Sequence, residues 1–183
     1  MDKETSRQLF HMAIGLGALL CLIFLGRGFM IAAVFWIIIA GLLLMNARLL
    51  GSQFFFLKWF EERFERPDAP LPGWGSACYA TGALMALTFL HEPAQIAAVI
   101  FILGVGDGVS TIIGRMGKAA IPYNPKKTAE GTAAFILASL PAYYFVGPLI
   151  IPLSLIGALG ESLPLEDNLV VPALCVAFLL IFA

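Results

Sequence analysis

The chain has 183 residues and a formal net charge of -1; 60% of its residues are hydrophobic and 13% are charged. A soluble domain keeps about a quarter of its residues charged, so this composition excludes an ordinary water-soluble domain and indicates a protein that lies in lipid. Nucleic acid is excluded as a partner, because binding to a duplex depends on clustered lysine and arginine. The three cysteines, Cys21, Cys78 and Cys175, stand far apart in apolar runs, and we expect them to be buried apolar residues.

Seven apolar runs come close to the roughly 20 helical residues that cross a bilayer core. Each must be helical, because an isolated strand would leave backbone groups unpaired in hydrocarbon. The runs cover residues 9–25, 29–45, 74–90, 94–114, 129–146, 147–163 and 169–183. The sequence therefore predicts an all-α integral membrane bundle of about seven transmembrane helices, in one domain over residues 1–183. The mixed charges of the first seven residues favour a retained first helix over a signal peptide.

The basic residues predict the orientation of the bundle. Ten of the 11 lysines and arginines lie in the N-terminal segment, in the loop after the second run or in the loop after the fourth, and only Arg27 falls on the other side. The positive-inside rule places the N-terminus and these loops in the cytoplasm. Residues 49–66 are aromatic at first and charged at the end, which predicts an amphipathic interfacial helix, either a connector or an entrance for a lipid.

Asp107 is the main candidate for a functional residue. A charge near the centre of a membrane helix costs at least about 2.5 to 3.5 kcal/mol, so such residues are functional candidates by default. Gly106 and Gly108 flank Asp107 and allow a ligand or another backbone to approach, and Thr111 shares its helical face. A carboxylate on such a face suits Mg²⁺, which usually takes one or two carboxylates plus phosphate oxygens.

The loop after Asp107 is basic, and its positive charges can neutralise a polyphosphate. These residues are Arg115, Lys118, Lys126 and Lys127. The next helix begins near Thr128, where free N–H groups are available to an anion. Glu130 stands in the first turn, either as a second metal ligand or as a structural residue matched to the helix dipole.

Other polar residues are predicted to lie on the same membrane face. Arg7 and His11 share one side of the first helix, where a snorkelling arginine and a satisfied histidine are the plainer interpretation. Glu161 stands inside an apolar run and is harder to explain structurally. Asp167 and Asn168 precede the last run, either as helix caps or as part of a site.

These motifs resemble the polyprenol kinase family of membrane proteins, which includes dolichol kinase, phytol kinase and the CTP-dependent diacylglycerol kinase. The matching pieces are Arg7-x-x-x-His11, Gly106-Asp107-Gly108 with Gly114-Arg115-x-Gly117, Pro125-Lys-Lys-Thr-x-Glu-Gly131, and Glu161 with Asp167-Asn168-x-x-x-Pro172. The resemblance implies transfer of the γ-phosphate of a nucleoside triphosphate, with CTP favoured, to the hydroxyl of a polyprenol, a phytol-like alcohol or diacylglycerol. It implies a multi-pass enzyme of a plasma or endoplasmic-reticulum-type membrane, with its active site on the cytoplasmic face. The exact lipid and the oligomeric state stay open.

The resemblance also implies roles for individual residues. Asp107, Lys127 and Glu130 would be catalytic, with Asp107 as Mg²⁺ ligand or proton acceptor and Glu130 as the second metal ligand. The nucleotide and phosphate-binding residues would be Gly106, Gly108, Arg115, Lys118, Lys126 and Thr128. The residues that support the polar cavity would be Arg7, His11, Thr111, Glu161, Asp167 and Asn168.

The main alternative is a CTP:phosphatidate cytidylyltransferase, which forms a CDP-lipid. That family shares the region around Asp107 and the Pro-Lys-Lys-Thr segment, but it also carries a basic carboxy-terminal signature. Residues 147–183 contain no lysine, arginine or histidine, so this signature is absent. A transporter would need ionisable groups along a path through the membrane, and a scaffold protein would leave Asp107 and Glu161 unexplained.

Overall fold

The computed structural model of the chain describes residues 2–52, 55–65 and 69–183. Over these residues the fold is helical, as predicted, apart from one short antiparallel hairpin. The helices are α1 (Lys3–Leu49), α2 (Phe55–Phe64), α3 (Trp74–Phe89), α4 (Pro93–Phe101), α5 (Asp107–Gly114), α6 (Ala129–Ser139), α7 (Tyr143–Val146), α8 (Ile150–Ser162) and α9 (Asp167–Phe182). The hairpin strands are β1 (Ala120–Ile121) and β2 (Asn124–Thr128).

Helix α1 contains the first two predicted runs and folds back on itself at Gly26, which has φ 81° and ψ 170°. In one straight helix, residues 10 and 48 would lie roughly 57 Å apart. Instead Phe10 packs against Phe60, with ring centroids 6.0 Å apart, and Arg48 contacts the neighbouring Glu61 at 3.2 Å. Two adjacent residues of α2 therefore touch both ends of α1, and α1 is a pair of limbs joined at the glycine.

Arg27, directly after this turn, connects α1 to the end of α3. Its Nε donates to the carbonyl oxygen of Leu87 at 2.8 Å, and its Nη2 donates to that of Thr88 at 3.2 Å. The last carbonyl groups of a helix have no partner within the helix, so a basic side chain stabilises that end. Arg27, the one basic residue outside the predicted cytoplasmic side, thus stabilises the end of α3.

The centre of the bundle is a continuous helical stretch formed by α4, the π-helical turn Ile102–Gly106 and α5. Every residue from Ile96 to Ile100 is at most 3% exposed. Helices α3 and α8 both pack against α9, and α1 packs against α3 and α4. Cys78 and Cys175 are buried as predicted, whereas Cys21 is only half-buried, so the prediction for Cys21 was too strong.

Among the described residues, three helical stretches are long and apolar enough to cross a membrane, namely Lys3–Leu49, Pro93–Gly114 and Ala129–Ser162. Large apolar side chains cover the outside of the bundle, including Phe24 at 79% exposure and Trp36 at 66%. This surface is consistent with a membrane protein. Helices occupy all seven predicted runs, but the count of seven spans and the orientation stay predictions.

The run 129–146 is less regular than predicted. Helix α6 ends at Ser139 and a 3-10 turn, Leu140–Ala142, follows before α7. Pro141 lies in that turn and explains the break, because proline lacks the N–H that a continuing α-helix needs. The predicted boundary at Gly147 is found, since its φ of 56° ends α7.

Helix α2 lies within the predicted interfacial segment 49–66, and residues 53, 54 and 66–68 lie outside the described residues. Phe64 stacks on Phe10 of α1, with ring centroids 4.3 Å apart. Just beyond the helix, the Glu65 carboxylate accepts hydrogen bonds from the backbone N–H groups of Gly73 (2.8 Å) and Trp74 (2.9 Å). Helix α2 is thereby fixed between α1 and the start of α3. Its location in a membrane interface stays a prediction.

Candidate functional site

Two clefts open beside the central helical stretch. A polar cleft of about 760 Å³ lies between the start of α1, α5, the hairpin and the region between α8 and α9. An apolar cleft of about 500 Å³ lies between the two limbs of α1, α2 and α3. Arg7 lines both clefts, so they meet at its side chain.

Lys127 lies at the centre of the polar cleft, in β2. Its Nζ is 2.6 Å from Oε1 of Glu161 at the end of α8, and 3.1 Å from Oδ2 of Asp167 at the start of α9. The hydroxyl of Ser110 lies 3.1 Å from the same Glu161 oxygen and 3.0 Å from the carbonyl oxygen of Asp107. The elements β2, α8 and α9 therefore meet at one ammonium group.

The cluster brings the ammonium group of Lys127 together with several carboxylates. Burial acts to lower the pKa of Lys127, but the negative charges of Asp167, Asp107 and Glu161 outweigh burial and raise that pKa above its usual range. Lys127 therefore stays protonated and offsets one of the surrounding carboxylates. The sequence predicted this lysine as a phosphate ligand, and the structure pairs it with carboxylates.

One carboxylate oxygen of Glu161 is buried without a structural role among the described residues. Its side chain is 2% exposed, and Oε2 has no hydrogen-bond partner among the residues that the structure describes. A buried polar atom without a partner costs roughly 1 to 3 kcal/mol, and more when it is charged. Such an oxygen suits a bound hydrogen-bond donor or a cation.

Asp107 begins α5 directly after the π-helical turn and is 3% exposed. Turns of this kind are found frequently at functional sites. His11 Nε2 lies 3.6 Å from Oδ2 of Asp107 and 3.1 Å from the carbonyl oxygen of Leu103. Because a carbonyl oxygen only accepts, the proton on Nε2 is directed at Leu103, and Oδ2 of Asp107 lies beyond hydrogen-bonding distance of the same nitrogen. His11 thus lies beside the Asp107 carboxylate.

Polar side chains also line the apolar cleft. They are Arg7, Gln8, His11, Glu65, Ser76, Tyr79, Asp107, Glu166 and Asn168. Asp107 lines the apolar cleft and Ser110 the polar one, although the two residues are only one helical turn apart. The polar head of a ligand in the apolar cleft would thus lie about one helical turn from an anion bound in the polar cleft.

Arg115 and Arg7, two predicted cations of the polar cleft, pair with acids of the N-terminal segment. Arg115 Nη2 lies 2.6 Å from Oδ2 of Asp2, and the Arg7 guanidinium bonds to Glu4. The hydrogen bond from Arg115 holds the pKa of the Asp2 carboxyl well below its usual range, and Asp2 in turn raises the pKa of Arg115. The N-terminal segment thereby covers part of the cationic wall.

Glu130 and Thr128 hold the loop that carries the lysines. The Glu130 carboxylate accepts the backbone N–H groups of Lys118 at 2.8 Å and Ala119 at 3.2 Å. Thr128 caps α6 by accepting the N–H of Gly131. The geometry thus supports the structural interpretation of Glu130, and its metal role stays a prediction.

Gly106 and Gly108 serve contacts between helices. A Cβ on Gly106 would lie 2.7 Å from the Ser139 hydroxyl, and one on Gly108 would overlap the side chain of Met12. Of the two alternatives that the sequence left open, a ligand or another part of the chain, these neighbours support the second. A phosphate contact of either glycine stays a prediction.

The predicted site residues divide into three groups. Arg7, Thr111, Arg115, Lys126, Lys127, Thr128, Glu161 and Asp167 line the polar cleft. His11, Asp107 and Asn168 line the apolar cleft, together with Arg7. Gly106, Gly108, Lys118 and Glu130 line neither of these two clefts. Asp167 is the first residue of α9 rather than its N-cap, which is Glu166; its Oδ1 accepts the adjacent N–H of Asn168, and its Oδ2 contacts Lys127.

Sequence reasoning missed Ser110 and Tyr79. Ser110 stands three residues after Asp107, so helical spacing could have found it. Tyr79 lies in the apolar helix α3, where nothing in the sequence indicated a functional role.

Comparisons with known proteins give two distant relatives. The chain is 35% identical to an uncharacterised protein of Methanocaldococcus jannaschii, over 59% of this chain and 58% of that protein. It is also 35% identical to a protein named probable phytol kinase 2, chloroplastic, of Oryza sativa subsp. japonica, over 54% of this chain and 40% of that protein. The chain thus spans about half the length of the curated relatives it matches. No family model and no solved structure matches it.

Proposed function

We propose that this chain is a membrane lipid-alcohol kinase that transfers the terminal phosphate of a nucleoside triphosphate to the hydroxyl of a lipid. The observation that carries the proposal is the meeting of an apolar and a polar cleft at Arg7, with Asp107 on the apolar side. The similarity to a rice protein named as a phytol kinase supports it. From the motif resemblance, CTP is the favoured donor, and a polyprenol, a phytol-like alcohol or diacylglycerol is the acceptor. The site would face the cytoplasm.

The acceptor would lie in the apolar cleft with its hydroxyl beside Asp107. Asp107 would take the hydroxyl proton as the lipid oxygen bonds to the terminal phosphorus. The bond between that phosphorus and its bridging oxygen breaks, and the nucleoside diphosphate leaves. His11, whose Nε2 lies 3.6 Å from Oδ2 of Asp107, would help to hold the carboxylate in place for this transfer.

The nucleotide would lie in the polar cleft. Lys126 is exposed there, and Arg115 becomes available to a phosphate when it leaves Asp2. Lys127 is already paired with two carboxylates, so its main task would be to hold α8 and α9 in place around the phosphates. Phosphoryl transfer depends chiefly on positioning and charge neutralisation, which this set supplies.

Mg²⁺ fits the carboxylates of the cluster. No three His, Cys, Asp or Glu side chains form a ready metal site within the described part of the chain. Mg²⁺ needs only one or two carboxylates when phosphates supply the other oxygens. Glu161 would hold it, because its Oε2 is buried without a partner among the described residues, while the Glu130 oxygens already accept N–H groups. Asp107 is the second candidate ligand, as the alternative to its role as proton acceptor. When bound, the ion neutralises charge on the transferring phosphoryl group.

The proposal is tested with purified protein in detergent, Mg²⁺ and γ-labelled CTP or ATP. The acceptors are phytol, farnesol, dolichol, diacylglycerol and phosphatidate, and the methyl ether of phytol serves as a matched control without a free hydroxyl. We expect label in a lipid phosphate from at least one alcohol and none from the ether. A CDP-lipid from phosphatidate, with the label in pyrophosphate, would establish the cytidylyltransferase alternative instead.

A further inference from the structure

The hydroxyl group of Tyr79 is buried in the bundle, and no hydrogen-bond partner for it exists among the described residues. Buried hydroxyl groups nearly always have a partner, because leaving one unpaired costs free energy. Tyr79 lines the apolar cleft, so a molecule in that cleft can supply the partner.

The Tyr79 ring lies beside His11, which in turn contacts Asp107. The two rings pack edge-on, with centroids 4.2 Å apart. A Cβ on Gly15 would lie 2.8 Å from the Tyr79 oxygen, and one on Gly104 would lie 3.4 Å from it. Two glycines at the crossing of α1 and the central stretch thus leave room for the phenol group.

A second buried oxygen in the same cleft points to the same kind of ligand. Oδ1 of Asn168 also has no hydrogen-bond partner in the part of the chain that the structure describes. The rest of the cleft is lined mainly by apolar side chains such as Ile14, Val34 and Ala83. A ligand with an apolar body and a polar head satisfies both parts of the wall.

We infer that Tyr79 binds the acceptor, donating a hydrogen bond from its phenol to the oxygen of the lipid hydroxyl. The acceptor oxygen would then be fixed while its proton faces Asp107. This assignment rests on the proposed function, and it adds the residue that distinguishes an alcohol from a hydrocarbon of the same shape. A site that bonds a hydroxyl binds an alcohol more tightly than a ligand of the same shape that lacks the hydroxyl.

The test compares the binding of phytol with that of its hydrocarbon counterpart, which lacks only the hydroxyl, to the full chain in detergent without nucleotide. We expect the wild type to bind the alcohol more tightly than the hydrocarbon, because Tyr79 and Asp107 both contact the hydroxyl. In Tyr79→Phe this ratio falls about 3- to 10-fold, the range of one hydrogen bond, because only the contact with Asp107 remains. The matched control Tyr144→Phe keeps the wild-type ratio, because Tyr144 is 88% exposed.

The Tyr79→Phe variant should fold, because it keeps the ring contact with His11 and removes no hydrogen bond made within the described residues. Its KM for the alcohol should rise while its KM for the nucleotide stays unchanged, a split that a purely structural defect would not produce. An unchanged binding ratio in Tyr79→Phe overturns the inference even where the wild type phosphorylates alcohols. If the wild type phosphorylates no alcohol, the proposed function itself fails, and the role of Tyr79 fails with it.

Discussion

The ammonium group of Lys127 lies 2.6 Å from a carboxylate oxygen of Glu161, a residue 34 positions away in the chain. This contact joins the loop after the central stretch to the end of α8, and Asp167 extends it to α9. The two halves of the motif pattern are thereby parts of one site.

Breaking this pair from one side should be costly. Lys127→Met leaves Glu161 and Asp167 buried without their cation, and we expect a loss of about 3 kcal/mol in unfolding free energy in detergent. Adding Glu161→Gln should restore more than about 1 kcal/mol of that loss, because it removes an uncompensated charge. Strictly additive losses in the double variant would show that the two groups are not coupled.

The same pair has a defined pH dependence. Because the pKa of Lys127 is raised, its stabilising contribution is fully present below the ordinary lysine value of about 10.4 and is lost only as the pH rises through the folded value. The coupling measured in the double-variant cycle should therefore persist up to about pH 9.

Substitutions of Glu161 and Glu130 should change the Mg²⁺ dependence of activity differently. Glu161→Gln should raise the Mg²⁺ concentration needed for half-maximal activity about tenfold or more, because it removes a proposed ligand. Glu130→Gln should leave that concentration nearly unchanged and lower the melting temperature, because its oxygens hold backbone N–H groups. Titration of both variants with Mg²⁺ decides between them, and the reverse pattern would return the metal role to Glu130.

The contact between Asp2 and Arg115 should compete with the nucleotide. Asp2→Asn removes the charge that holds Arg115, so the KM for the nucleotide should fall, at most about fivefold for so exposed a pair. The melting temperature should not change, since both side chains are about half exposed. Steady-state kinetics in low salt measures this effect. A raised KM would mean instead that Asp2 orients Arg115 for binding.

The glycine crossing between α1 and the central stretch can be tested with a matched pair of variants. A Cβ on Gly15 would lie 2.9 Å from the Cα of Gly104, whereas one on Gly17 meets nothing within 4 Å. Gly15→Ala should therefore destabilise the protein by about 1 to 3 kcal/mol. Gly17→Ala should be neutral or stabilising by up to about 1 kcal/mol. Thermal unfolding of the two variants checks this, and equal effects would contradict the packing described for Gly15.

The helices could be predicted from sequence because long apolar runs have few alternatives in lipid. Helices occupy all the predicted runs, but α1 extends beyond the first two runs at both ends, and short π or 3-10 turns interrupt the runs 94–114, 129–146 and 147–163. The reversal at Gly26 follows from a glycine between two apolar runs. The hairpin did not follow, because its short strands have no hydrophobic alternation.

The candidate site could be predicted in its residue types more than in its contacts. The charged residues were found because each is expensive in an apolar chain. Their pairing depends on distant elements: nothing near Lys127 in the sequence indicates that Glu161 offsets its charge. Gly106 and Gly108 were ambiguous for the same reason, because a glycine admits a ligand or another helix equally well. Only their neighbours Ser139 and Met12 decide which.

The central claim is that Asp107 accepts the proton of a lipid hydroxyl as phosphate is transferred to it. The direct test is the single-turnover rate of transfer from γ-labelled nucleotide to the active alcohol, in wild type and Asp107→Asn, with Glu62→Gln as an exposed-carboxylate control. We predict a fall of about 10²- to 10⁴-fold in Asp107→Asn, with alcohol binding retained and the control unchanged. A wild-type rate in Asp107→Asn would contradict the account.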